Sequence, residues 1–188
     1  MEPLTLLRNR ATYALIGSFA GTVWMFWSIA FVGTAAAFWG PTVTVLALSM
    51  LIWSISRARF VRRRIASSNE PQSLHMFGAA YWTVVVLEFL LAAGTVLFLI
   101  VTGRSQLIPP AIAFIVELHF LPLTKLYRMP TLFVTGTSLV ILTVVCLVIP
   151  RANIRNLIVC LEIGLSMWAR TFVTLRQVVS HLKAPSAA

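Results

Sequence analysis

From Ala79 to Val101 the chain runs through a long apolar stretch with a single charged side chain, Glu88. Several more runs of this kind follow one another with only short breaks, and they decide the fold class. A stretch of about 20 apolar residues is what an α-helix needs to cross the hydrocarbon core of a bilayer. Backbone polar groups in lipid must be satisfied within the segment, so each run is expected to be helical. At 59% hydrophobic and 11% charged, with a mean hydropathy of +0.91, the 188 residues are too apolar for a water-soluble globule. The expectation is an all-α integral membrane protein, a single transmembrane domain over residues 1–188. Its six-helix bundle spans about 11–32, 42–56, 79–101, 108–123, 131–149 and 154–173.

The run at 108–123 carries both Glu117 and His119 and has Pro109 and Pro110 in its first turn, so a re-entrant loop is the alternative there. Charge asymmetry decides. With six spans, Arg8, Arg10, Arg57, Arg59, Arg62, Arg63, Arg64, Lys125, Arg128, Arg170, Arg176 and Lys183 share one side, against Arg104, Arg151 and Arg155 on the other. A re-entrant segment would move every later charge across and flatten that bias. The positive-inside rule therefore favours six spans with both termini cytoplasmic. Arg57, Arg59, Arg62, Arg63 and Arg64 form the strongest topology signal, and they suit anionic lipid headgroups on the cytoplasmic face. The net charge of +10 is explained by these helix-end clusters, so no nucleic-acid partner is expected.

Smaller features fill in the outline. Gly17 and Gly21, four residues apart, place two glycines on one helix face, where backbones can approach closely. Trp24 and Trp27 are expected in core packing. Pro41 suits the first turn of the second helix after a link over 33–40, and residues 66–74 read as the one clearly polar loop. Cys146 and Cys160 fall in apolar runs and read as buried thiols. Two groups of three spans would have opposite orientation, the arithmetic of an inverted repeat, yet the halves show no convincing match. The last residues, 184–188, are expected to fray.

Only five acidic residues are present, and three of them, Glu88, Glu117 and Glu162, stand near the centres of apolar runs. At a rise of ~1.5 Å per residue all three come within several Å of the midplane. An acidic side chain there costs roughly 2.5–3.5 kcal/mol on insertion scales and normally faces the bundle interior or a watery cavity. Tyr81, Glu88, Ala92 and Thr95 share a face, as do Glu162, Ser166, Arg170 and Thr174. Glu117 and His119 are about 200° apart around a helix, so they cannot point into one cavity. The expectation is a proton- or cation-binding site on Glu88, Glu117 and Glu162, with at least one of them holding an exchangeable proton. Tyr81, Ser166, Arg170 and His119 would support it. The alternative is structural: glutamates bonding to hydroxyls on neighbouring helices.

Enzyme chemistry finds no support. Three histidines, two of them (His75 and His181) away from the midplane, do not make a zinc site, and no hydrolase or P-loop motif occurs. No catalytic residue, metal or cofactor is expected. The expected function is a small transporter or proton-coupled carrier of an unidentified solute or cation. A carrier should contain a solvent-reachable cavity touching at least two of the glutamates. The rival, a non-catalytic membrane subunit or stress-related scaffold, should bury them in direct pairs and expose a flat small-residue face through Gly17 and Gly21. A homodimer would suit the small size of the bundle.

The segment from His119 through Pro122, Lys125 and Arg128 to Pro130, followed by Val134-Thr135-Gly136, resembles one found in small uncharacterised bacterial multi-pass integral membrane proteins. The resemblance covers roughly residues 115–139. It implies a bacterial plasma-membrane location and carries no activity or site residues with it.

Overall fold

The computed structural model describes residues 4–66, 79–127 and 130–183. Arg128, His75, most of the polar loop at 66–74 and the tail at 184–188 lie outside the described residues. Six α-helices and three short 3-10 turns make up the described chain, with no strand among them: α1 (Leu4–Ser28), α2 (Ala36–Ala66), α3 (Ala79–Val101), α4 (Ile108–Tyr127), α5 (Pro130–Cys146) and α6 (Ala152–Lys183). Five helical stretches, in α1, α2, α3, α4 and α6, are long and apolar enough to cross a membrane. The apolar helix in α5, Leu132–Cys146, is shorter. This is the all-α architecture of a multi-pass, membrane-embedded protein.

Two details differ from the sequence reading. The link at 33–40 is mostly helical: a 3-10 turn covers Gly33–Ala35 and α2 begins at Ala36, so Pro41 lies inside the helix rather than in its first turn. Proline there leaves a carbonyl of the preceding turn without its usual N–H partner. Nearby, the hydroxyls of Thr42 and Thr44 donate back to Phe38 O and Gly40 O, each one turn earlier. At its other end α2 runs past 56 through the whole basic run to Ala66; the shortness of the span at 42–56 already implies that its helix takes in part of that run. Arg57, Arg59, Arg62, Arg63 and Arg64 are all exposed, and two of them fold back one turn, Arg57 over Trp53 and Arg64 over Phe60. As for the span at 108–123, it is part of one continuous helix about 30 Å long at the usual rise per residue, not a re-entrant turn.

The chain forms two compact units. The first takes α1 as far as Phe26, α2 from Phe38 and α6 from Gly164; the second takes the 27–37 link, α3, α4, α5 and α6 as far as Ile163. In the first unit the buried positions of α1 (Leu7, Ala11, Ala14, Ser18, Gly21, Met25) alternate in steps of four and three. A repeat averaging 3.5 residues keeps one seam of a helix against its neighbours. The residues on that seam are small, which is how helices pack closely where lipid supplies no hydrophobic drive between them. A Cβ on Gly17 would stand 3.1 Å from Thr171 Oγ1, and one on Gly21 would stand 3.0 Å from the backbone oxygen of Gly164. Gly17 and Gly21 thus pack α1 against α6 of the same chain and form no exposed flat face. Trp24 is buried in this unit. Polar ties run along the same seam: Trp168 Nε1 donates to Ser18 O, Thr171 Oγ1 to Ala14 O, and Ser54 Oγ to Ser18 Oγ. Leu7, Ala11, Val61, Ile65, Leu175 and Val178 share one cluster, so the start of α1 and the ends of α2 and α6 meet at one end of the unit, where its basic residues are concentrated.

In the second unit α3 ends in a tight C-cap. Gly103 takes φ +69°, while Gly103 N–H donates to Ile100 O and Arg104 N–H to Leu99 O. This is the pair of bonds that closes a Schellman motif and that favours glycine at its left-handed position. The turn that follows is held to α6, since Gln106 O accepts from Arg155 Nη2 at 3.0 Å and from Asn156 Nδ2 at 3.2 Å. Arg104, Arg151 and Arg155 therefore gather at one end of this unit. Asn156→Ala should lower stability by about 1 kcal/mol, the value of one such bond. Faster limited proteolysis at 102–107 than in the parent is the check, and an unchanged cleavage rate would show that the latch is held without Asn156.

Candidate functional site

The site is built on α4, which sends its polar side chains to opposite sides. Gly136 of α5 sets the approach on one side: a Cβ there would come within 3.1 Å of both Glu117 O and Phe120 Cβ. From this contact the buried positions of α5 continue as Leu139, Thr143 and Cys146, in steps of three, four and three. Thr143 is thereby carried to Glu117, and its hydroxyl donates to Glu117 Oε1 at 2.8 Å. Glu117 is wholly buried, at 0% exposure, and its other oxygen, Oε2, has no hydrogen-bond partner among the described residues.

Glu162 reaches the same neighbourhood from α6. It lies within electrostatic range of Glu117, and both act on the thiol of Cys146. Both carboxyl oxygens of Glu162 are buried without a hydrogen-bond partner among the described residues. Cys146 and Cys160 are both buried, unpaired thiols. Two carboxyl groups with unused hydrogen-bonding capacity thus lie within electrostatic range of each other inside helices long and apolar enough to span a membrane. Burying carboxyl oxygens without hydrogen-bond partners is costly, and more so when the group is ionised.

On the other side of α4, His119 faces α3. Its Nδ1 lies 2.8 Å from Glu88 Oε2, within hydrogen-bond distance but not in hydrogen-bond alignment. Glu88 is also in electrostatic range of Tyr81, about two turns earlier on the same stripe. The less exposed face of α3 carries Tyr81, Glu88, Ala92 and Thr95, with Leu99 buried at its end. The three glutamates therefore divide in two: Glu117 within electrostatic range of Glu162, and Glu88 with His119. Of the other supporting residues, Ser166 and Arg170 belong to the part of α6 in the first unit, where Arg170 is in electrostatic range of Tyr13.

Between α3, α4 and α5 opens a cleft of about 540 Å³. Phe98, Leu99, Phe114, Ile115 and Leu147 form most of its wall, and its hydroxyl-bearing residues are Thr95 and Thr143. It reaches none of the three glutamates directly; Thr143 is the link to Glu117. Thr143 was not singled out from the sequence, and Cys146 was read only as a buried thiol. The spacing 132, 136, 139, 143, 146 is the signal that would have found them, because it continues the seam begun at Gly136. Among the described residues no three His, Cys, Asp or Glu side chains gather to hold a metal ion. The chain matches no protein-family model, no curated protein and no solved structure.

Proposed function

We propose that the chain is a small proton-coupled membrane carrier whose exchangeable proton or cation resides on Glu117 and Glu162. The observation that supports this most is the fully buried Glu117, with one oxygen unpartnered, beside a Glu162 with neither oxygen partnered. Carboxyl groups in such a place are costly to keep, and in membrane helices they characteristically mark ion and proton pathways. The carrier is a six-span bundle with both termini cytoplasmic. The gathering of basic residues at the end where α1 begins and α2 and α6 finish supports that orientation. A bacterial plasma membrane is the location that the resemblance at 115–139 implies, and the exposed arginines of α2 lie against its anionic lipids.

The alternative is a non-catalytic membrane subunit in which the carboxyls tie helices together. The pairing of Glu88 with His119 and of Glu117 with Thr143 favours it. Thermal stability in detergent from pH 5 to 9 separates the two readings, for the parent and for Glu117→Gln and Glu162→Gln. A carrier site titrates in the folded state, so the stability difference between parent and variant should change with pH and the variant profile should be flatter. A constant loss of stability at every pH, for both variants, would make the carboxyls structural ties and end the carrier reading.

A further inference from the structure

We infer that the cleft between α3, α4 and α5 is a cargo site for a lipophilic ammonium ion, a molecule with an apolar body and one protonated amine that meets Thr143. This rests on the carrier reading and names its substrate class. The volume of about 540 Å³ falls within the range of roughly 300–1,000 Å³ that small-molecule pockets occupy. Hydrocarbon side chains make up nearly the whole wall, so the body of the ligand is apolar.

The polar end follows from the hydrogen-bond inventory of one residue. A threonine hydroxyl has one hydrogen to give and two lone pairs to offer. Thr143 commits its hydrogen to Glu117 Oε1, so toward the cleft it is an acceptor only. A ligand meeting it must bring an N–H or O–H. Charge then selects among donors: Glu117 stands directly behind Thr143, Glu162 is within electrostatic range of Glu117, and no basic residue lines the cleft. An ammonium supplies the counter-charge that an ionised Glu117 otherwise lacks.

The same hydroxyl couples binding to proton exchange. When Glu117 takes up a proton, its O–H can donate to Thr143 Oγ1, and the Thr143 hydrogen is released to turn toward the cleft. The wall then changes from acceptor to donor and loses its preference for an ammonium. One proton enters as one cation leaves, with no bond made or broken other than that to the proton. The titratable groups around this pair are Glu162 from α6 and Cys146 from α5. On the α3 side Glu88 and Tyr81 are engaged with His119 and with each other.

The test uses the full chain in nanodiscs and three ligands with one cage and different heads: 1-aminoadamantane, 1-adamantanol and adamantane-1-carboxylate. Calorimetric titration, corrected against empty nanodiscs, should show the amine bound about tenfold or more tighter than the alcohol, the carboxylate not at all. Thr143→Val should weaken the amine by about tenfold and Thr143→Ser should restore it. Ala111→Trp, which fills the cleft, should abolish binding. Equal binding of all three ligands to the parent, or no amine signal above the empty disc, overturns the cargo assignment without using any variant. Repeating the titration in buffers of different ionisation enthalpy counts the protons released. About one per amine is expected, because binding favours the ionised Glu117. Amine binding that depends on Thr143 but releases no proton keeps the cation site and overturns the carrier reading.

Discussion

Gly21→Ala is expected to destabilise the protein by about 2–3 kcal/mol, the upper part of the usual range for overpacking a close contact. Gly94→Ala should be neutral or stabilise by up to about 1 kcal/mol. The added Cβ at Gly21 stands 2.7 Å from Trp168 Cδ1 and 3.0 Å from Gly164 O. Neither neighbour can give easily. The carbonyl is helix backbone, and the indole is held by its own hydrogen bond to Ser18 O. Gly164→Ala should cost less, because the two nearest atoms it meets, Met25 Cγ at 2.7 Å and Sδ at 2.8 Å, belong to a flexible side chain, and the backbone oxygen of Gly21 stands farther off at 3.2 Å. Nothing lies within 4 Å of the position a Cβ would take on Gly94, so that substitution adds helix propensity without a clash. Equilibrium unfolding in mixed micelles gives the ranking. Equal effects at Gly21 and Gly94 would mean that the α1–α6 contact contributes little, and would return Gly17 and Gly21 to the pool of candidate dimer faces.

That contact also shows what could be read from the sequence and what could not. The helices were legible because apolar runs bounded by arginines and prolines leave little else for the chain to do in a bilayer. The stripe Tyr81, Glu88, Ala92, Thr95 was legible for the same kind of reason, since a helical period can be counted. Gly17 and Gly21 could be seen to make a close-packing face, but a spacing does not name its partner. A second chain and α6 of the same chain satisfy it equally, and only the positions of Gly164 and Trp168 decide. The start of α2 differs from the sequence reading because Pro41 suits the opening turns of a helix without fixing which turn it occupies, and here the helix starts five residues before it. The division of the glutamates was half legible: the angle between Glu117 and His119 separates them, but depth alone groups Glu88 with the other two. Thr143 went unseen because a lone threonine in an apolar run carries no signal until the seam through Gly136 is recognised.

The sharpest separation between a carrier and a scaffold should come from removing the carboxyls rather than neutralising them. Glu162→Leu is expected to stabilise the protein by about 1–3 kcal/mol, as replacement of a buried, uncompensated polar group by a hydrocarbon commonly does. Its oxygens have no hydrogen bond to lose among the described residues, while leucine fills a similar volume without desolvating a carboxyl. Glu117 should behave differently. Thr143→Val strands a wholly buried carboxyl and should cost about 1–3 kcal/mol. Glu117→Leu should cost less, because the freed threonine hydroxyl can bond back to the carbonyl one turn earlier in α5. The double substitution should recover most of the loss, and the unfolding cycle should return a coupling near 1 kcal/mol for the Thr143–Glu117 pair. A side chain whose removal stabilises the fold is retained for something other than folding, and in membrane helices that something is characteristically ion or solute passage. If Glu162→Leu instead destabilises as much as Thr143→Val, then Glu162 holds helices together in the lipid, and the scaffold reading accounts for all three glutamates without any exchange of protons.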